Sequence, residues 1–124
     1  MDTRSKKLAR YLKTDRHVTQ IVKALRRAYG AAHPKAVIEA YMVDWGIIRV
    51  RVTDPDFEGK SDKEREDPIW AVLQTLPAEA LQELHVLILI TPGERKRSPG
   101  SALFDNDRRR TIRRTADTPL KAKS

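Results

Sequence analysis

With 124 residues and no cysteine, the chain has room for one domain of ordinary size. Disulfides, thiol catalysis and iron–sulfur ligation by its own sulfur are excluded. No apolar run approaches the roughly 20 residues that span a bilayer, and the N-terminus lacks the apolar stretch of a signal peptide. We therefore expect a cytoplasmic protein without a membrane partner.

The formal net charge of +8 is distributed unevenly along the chain. Residues 1–29 hold 9 basic and 2 acidic side chains, residues 30–92 hold 6 and 11, and residues 93–124 hold 10 and 4, which gives +7, −5 and +6. Basic ends attract phosphate polymers because each neutralised phosphate releases condensed counterions. The same pattern would also suit an anionic membrane surface, or solubility alone.

The first part of the chain predicts one amphipathic helix. Residues 1–15 form a basic extension that holds a short apolar patch. Beyond it, apolar residues recur at three- and four-residue spacing until Gly30, a usual helix stop. The outer face of this helix carries Lys23, Arg26 and Arg27, which favours a solvated surface, with phosphate contact as the alternative.

Two strands are predicted next, joined as a hairpin. Residues 36–43 are rich in residues that favour the pleated conformation, and Asp44-Trp45-Gly46 indicates a turn. After it, apolar residues at 48, 50 and 52 alternate with Arg49 and Arg51. This alternation is typical of a strand with one face on a core and the other in water.

A second helix and a buried strand follow. Ser61 and Glu64 stand in the relation of a capping box, and Asp67-Pro68 repeats the start signal. An apolar stripe then runs to Leu76. The nearly pure aliphatic run Leu84 to Ile90 predicts a strand covered on most of its surface. His85 is the only polar side chain in that run, and strand alternation predicts that it points the same way as Leu87 and Leu89.

The predicted order α-β-β-α-β gives an α+β fold, a two-layer sandwich with a three-stranded mixed sheet and helices on one face. The body would cover residues 16–94. Residues 95–124 are poor in apolar side chains and rich in arginine, which predicts a mostly disordered basic tail. Leu103, Phe104 and Ile112 are candidates for docking on the domain, and Asp107 for capping a short helix over residues 108–114.

The middle of the chain resembles a known family. Phe57, Gly59, Arg65, Ile69 and Leu73 stand at the spacing of the BolA-like proteins, and Trp70 stands where a tyrosine is usual. Glu66 departs from the basic residue of the family pattern. The resemblance covers roughly residues 18–94 and implies a fold similar to the type II KH nucleic-acid module.

The resemblance also gives His85 a role. In BolA-like proteins the corresponding histidine is implicated in binding a two-iron two-sulfur cluster shared with a monothiol glutaredoxin. Here that implies an adaptor whose contact surface includes His85, Trp45 and Pro92. The hairpin turn, where many members place a second ligand, is Asp44-Trp45-Gly46 in this chain.

Other chemistry has little support in the sequence. Acidic residues from Asp54 to Asp62 match part of a calcium loop, but Arg65 occupies the position of the essential glutamate, which favours an acidic solvated loop. The three histidines, His17, His33 and His85, are far apart and come without cysteine, so we expect no structural zinc site. No phosphate-loop, metalloprotease or hydrolase motif is present. We expect no enzymatic activity.

Three functions follow as expectations. The first is a non-catalytic BolA-like regulatory module that contacts DNA or RNA mainly through its basic ends. The alternative is the iron–sulfur adaptor that acts through His85, and the second alternative is a ribosome-associated RNA-binding factor. A monomer or weak homodimer is expected. The predicted nucleic-acid contacts are Arg49, Arg51, Arg95, Lys96, Arg97, Arg108, Arg109, Arg110, Arg113 and Arg114.

Overall fold

A computed structural model describes residues 3–44 and 46–115, with side chains described over residues 5–44 and 46–109. Three strands form one sheet in the order β1-β2-β3, with β1 antiparallel to β2 and β2 parallel to β3. The elements are α1 (Thr3–Ala28), β1 (Val37–Asp44), β2 (Ile47–Thr53), α2 (Asp62–Leu73), α3 (Ala78–Glu83), β3 (Leu84–Ile90), α4 (Pro92–Arg95) and α5 (Pro99–Thr115). The predicted α+β class with a mixed three-stranded sheet and helices packed on it is confirmed.

The core forms where the predicted apolar stripes meet one face of the sheet. Val50 and Val52 of β2 are fully buried, as are Ile21 and Leu25 of α1 and Ile69 of α2. Each such side chain contributes roughly 1.5–3 kcal/mol by leaving water.

The basic extension does not form a separate segment, because α1 starts at Thr3 and runs through it without a break. None of the helices in the described ranges is long and apolar enough to cross a membrane.

Helix α2 begins at the predicted capping box. The Ser61 hydroxyl accepts from the Glu64 backbone N–H at 3.2 Å, and the Glu64 carboxylate accepts from the Ser61 N–H at 2.8 Å. These two bonds satisfy donors that the first helical turn leaves without partners. The second predicted start, at Asp67-Pro68, is wrong: Pro68 lies inside the helix, where it removes one backbone hydrogen bond.

The segment after α4 folds, which differs from the predicted disordered tail. Helix α5 covers Pro99–Thr115, and its Phe104 is only 1% exposed. The Phe104 ring meets Tyr41 of β1 edge-on with ring centres 4.8 Å apart, and the Tyr41 hydroxyl donates to the Phe104 carbonyl at 2.8 Å. The predicted docking of Phe104 is therefore confirmed. Asp107 lies within the helix and does not cap it, and the side chain of Ile112 lies outside the described residues.

Helix α5 covers part of the sheet face opposite α1 and α2. On this face Arg51 is fully buried, so the prediction that the Arg49–Arg51 face lies in water is wrong. The Arg51 guanidinium donates to Glu39 of β1 at 2.8 Å, to Asp105 at 2.9 Å and to the Ser101 hydroxyl at 2.8 Å. The Cζ atom of this guanidinium also lies over the Phe104 ring, 4.4 Å from the ring centre. Arg51 is the hub that joins α5 to the sheet.

The residues that carry the family resemblance have structural tasks. Phe57 is buried in the core, and Gly59 has a φ of +76° that a side chain would strain. Arg65 donates to the Leu89 carbonyl at 3.1 Å and makes a two-pronged bond to Glu94 at 2.7 and 3.1 Å. This pair joins the start of α2 to the end of β3 and to α4.

The Arg65–Glu94 pair predicts a pH-dependent loss of stability. The Arg65 guanidinium, helped by the Thr91 backbone N–H, lowers the pKa of Glu94 from its ordinary 4.5 to about 2. Since this pKa is lower in the folded state, Glu94 stabilises the fold above pH 4.5, and the contribution disappears as the pH falls towards 2. We expect Glu94→Gln to show a shallower decline of the urea midpoint over that range than the wild type.

The control for this measurement is Glu66→Gln. Glu66 lies on the same helix as Arg65 but is exposed, and no ion pair engages its carboxylate among the described side chains. We expect this variant to keep the wild-type dependence of the urea midpoint on pH. Identical curves for Glu94→Gln and the wild type would contradict the assigned role of Glu94.

Candidate nucleic-acid interface

A stripe of cations runs along the outer face of α1. Arg16, Lys23 and Arg27 are exposed, and their spacings of seven and four residues place them on one side of the helix. This side lies opposite the buried Ile21 and Leu25. The stripe is about 16 Å long, at about 1.5 Å per residue. We call Arg16, Lys23 and Arg27 the α1 basic stripe.

No carboxylate neutralises this stripe within the part of the chain that the structure describes. On the N-terminal side of the stripe, Lys13 pairs with Glu79 of α3. The exposed Lys6, Arg10 and Arg26, like the stripe, have no ion pair among the described residues. The exposed cations without a described ion pair, which are Lys6, Arg10, Arg26 and the three residues of the α1 basic stripe, therefore remain available to an anionic partner. Sequence reasoning gave phosphate contact for Lys23, Arg26 and Arg27 only as the alternative to a solvated surface and did not name Arg16, although the spacing of Arg16, Lys23 and Arg27 was visible in the sequence.

Three of the predicted contacts are instead used inside the protein. Arg49 is half-buried and pairs with Asp107 of α5, and Arg51 pairs with Glu39 and Asp105. Arg108 donates to Glu39 at 2.6 Å. Burial lowers the pKa of Arg51, but its hydrogen bonds to Asp105 and Glu39 outweigh that effect and raise it overall. These guanidiniums stay charged and hold α5 on the sheet, so they do not form an open phosphate surface.

The other predicted contacts fall into two groups. Lys96 and Arg97 are exposed and have no ion pair among the described residues, while Arg95 is half-buried, 3.9 Å from Asp105. Arg109 is exposed and donates to Asn106 at 2.8 Å. The remaining three, whose side chains lie outside the described residues, are Arg110, Arg113 and Arg114.

His85 sits at an irregularity of the sheet. Leu84 pairs with Ile48, but Val86 pairs with Arg49, so His85 is an extra residue without a partner in β2. Leu84, Leu87 and Leu89 pack on the core, and His85 is exposed. His85 is thus more exposed than Leu87 and Leu89, and no described contact fixes the direction of its side chain at the bulge.

Among the described residues, His85 does not belong to a group of three or more metal-ligating side chains. Trp45 of the predicted adaptor surface lies outside the described residues, and Pro92 is exposed at the start of α4. His17 Nδ1 is 2.6 Å from a Glu83 carboxylate oxygen. Over the described ranges, the metal-ligating side chains that gather in one place are His33, Asp54 and Asp56.

The acidic loop after β2 is partly buried, in contrast to the predicted solvated loop. Asp54 is fully buried. Its carboxylate accepts from the Tyr29 hydroxyl at 2.6 Å and from the Asp56 backbone N–H at 3.0 Å. Burial, followed by the bond to Asp54, raises the pKa of the Tyr29 hydroxyl well above its ordinary value. The loop is therefore fixed to the end of α1.

No protein-family model, curated protein or solved structure matches this chain. The BolA-like resemblance stays a prediction that depends on residue spacing in the sequence.

Proposed function

We propose that the protein is a non-catalytic BolA-like module that binds nucleic acid, and that α1 carries the main interface. The observation that carries this proposal is the α1 basic stripe, three exposed cations on one face that no described carboxylate neutralises. Lys96 and Arg97 extend the set of available cations beyond β3. The proposal keeps the partner expected from composition but moves the contact from the sheet and α5 to α1.

The length of the stripe suits a phosphate backbone. One strand of a duplex presents a phosphate about every 3.4 Å along the axis, so a stripe of about 16 Å passes several of them. Lysine and arginine contacts to phosphates fix position without reading sequence. We therefore infer binding with little sequence preference, consistent with the lack of the glycine-rich clamp loop that KH domains use.

The uneven distribution of acidic and basic side chains over the surface favours one side of the protein for nucleic-acid binding. Glu58, Asp62, Glu64 and Glu66 are exposed around the start of α2 and would repel a phosphate backbone laid across them. Repulsion at this position and attraction at α1 together orient the partner along the outer face of α1.

A salt titration tests this proposal. We expect the logarithm of the association constant for single-stranded RNA or DNA to fall linearly with the logarithm of salt concentration, with a slope of about −0.7 for each phosphate neutralised. Three stripe contacts predict a slope of about −2 or steeper. An affinity that does not change between low and moderate salt would contradict the proposal. Binding to RNA but not DNA would favour the ribosome-associated alternative.

The adaptor remains the alternative proposal, and the exposed position of His85 favours it. An exposed imidazole at a bulge is reachable by a partner protein, and neutral imidazole nitrogen suits iron. Mixing the protein with a cluster-loaded monothiol glutaredoxin should change the visible absorption spectrum, and His85→Ala should abolish the change. Equal spectra for wild type and variant would exclude this role.

A further inference from the structure

The loop between α1 and β1 meets the end of β2 at a cluster of potential metal ligands. His33 Nδ1 lies 2.7 Å from an Asp56 carboxylate oxygen and 3.4 Å from an Asp54 carboxylate oxygen. One ligand atom from each of the three side chains lies within 4.8 Å of the others. Two ligands bound to one ion at about 2.0–2.1 Å stand about 3.0–3.4 Å apart. The observed spacing therefore needs only small side-chain shifts to close around an ion.

The charge of the cluster favours a cation. Asp54 is fully buried and Asp56 is about half exposed, and no described lysine or arginine side chain bonds to either carboxylate. The only potentially cationic neighbour in the described contacts is His33 itself. Burying a carboxylate without a full counter-charge is costly. A divalent ion between the two carboxylates would remove that cost.

The supporting contacts hold the ligands in place. Tyr29 stacks on the His33 ring with ring centres 4.0 Å apart and an angle of 11°, and its hydroxyl binds Asp54. The Asp54 backbone N–H donates to the Ile90 carbonyl at 2.9 Å, which ties the carboxylate to the end of β3. Hydrogen bonds of this kind orient metal ligands and tune their affinity. The cluster is thus fixed by α1, β2 and β3 together.

We propose that His33, Asp54 and Asp56 form a binding site for a divalent transition metal, with Zn²⁺ as the best match. One imidazole and two carboxylates suit zinc and its neighbours. Calcium needs six to eight oxygen ligands, which this set does not provide. Three protein ligands leave the fourth position of a tetrahedral ion to water or to a partner, and the half-exposed Asp56 marks its open side.

Calorimetric titration of the full-length, chelator-treated protein with Zn²⁺ alone tests the site. We expect one Zn²⁺ per chain, and affinity at least about 10-fold weaker in both His33→Ala and Asp56→Asn. Asp56→Asn is the decisive variant because Asp56 is half exposed and contributes little to folding. His85→Ala is the matched control, since it removes an exposed histidine outside the cluster and should bind as the wild type does.

Any of the following outcomes would overturn the proposal. The first is that the wild type binds no Zn²⁺, or that all four proteins bind it equally; His33 would then be only an ion-pair partner of the two carboxylates. The second is saturable binding of Ca²⁺ with no binding of Zn²⁺, which would exclude the transition-metal class. Loss of Zn²⁺ binding in His85→Ala alone would place the site elsewhere.

Discussion

Arg51→Ala is expected to lower the free energy of unfolding by about 3–4 kcal/mol, because it removes one partner from a buried, charged network. Arg51 is fully buried and bonds to Glu39, Asp105 and Ser101. Without it, Asp105 loses its closest cation and Phe104 loses the guanidinium over its ring. The loss is a large part of the roughly 5–15 kcal/mol that stabilises a typical domain.

Urea unfolding followed by circular dichroism measures this loss, and Arg49→Ala is the matched control. Arg49 lies two residues away on the same strand but is about a quarter exposed and pairs with one carboxylate, so we expect a loss of about 1 kcal/mol. Hydrogen exchange should rise across residues 99–109 in Arg51→Ala, because α5 loses its bonds from Ser101 and Asp105 to the sheet. Equal losses in the two variants would contradict the role of Arg51 as the hub.

The second large effect is on nucleic-acid affinity. Replacing Arg16, Lys23 and Arg27 together by alanine should lower the affinity about 100-fold at 0.1 M salt and make the salt slope shallower by about 2–3, since three phosphate contacts are lost. Stability should change little, because all three side chains are exposed and alanine favours helix. The measurement is fluorescence anisotropy with a labelled single-stranded oligonucleotide over a range of salt concentrations.

A control with the same loss of charge separates position from net charge. Lys35, Lys60 and Lys63 are exposed and lie outside α1, so replacing all three by alanine removes the same formal charge. We expect this variant to keep nearly the wild-type salt slope. If both triple variants lose affinity equally, net charge alone drives binding and the α1 basic stripe has no special role.

Local signals in the sequence predict most of the fold. The apolar stripe of α1, the alternation in β2 and the capping box before α2 each act within a few residues, so their consequences are readable without coordinates. The aliphatic run of β3 is likewise a local signal, and it predicts a buried strand. Together they predict a mixed sheet with helices packed on it, which is the observed fold.

The sequence offered only the docking of Phe104 and a short helix over residues 108–114, and the full length of α5 was not predicted because its contacts are mainly polar. Arg51 with Asp105, and Arg49 with Asp107, are charge pairs between residues more than fifty positions apart. Such pairs leave no apolar periodicity, and among the described side chains of α5, residues 99–109, Phe104 is the one large apolar side chain that is buried. A basic, polar segment therefore resembled a disordered tail, and the half-buried Arg49 with the buried Arg51 resembled a solvated face.

The candidate sites, like the fold, could be predicted from the sequence only in part. The cations of α1 have helical spacing, so their position on one face is predictable, but the lack of acidic partners is visible only in three dimensions. His33 and Asp54 are 21 residues apart, and the approach of the loop to the end of β2 brings them together. The bulge at His85 depends on strand register, which the sequence of β3 alone does not specify.

The most direct test is a map of amide chemical shifts as a short single-stranded RNA is added to the isotope-labelled protein. The account predicts that the perturbed amides cluster on the outer face of α1 between Arg16 and Arg27, and that the perturbations decrease as salt is raised. Perturbations confined to α5 or to the surface around His85, with α1 unchanged, would contradict it.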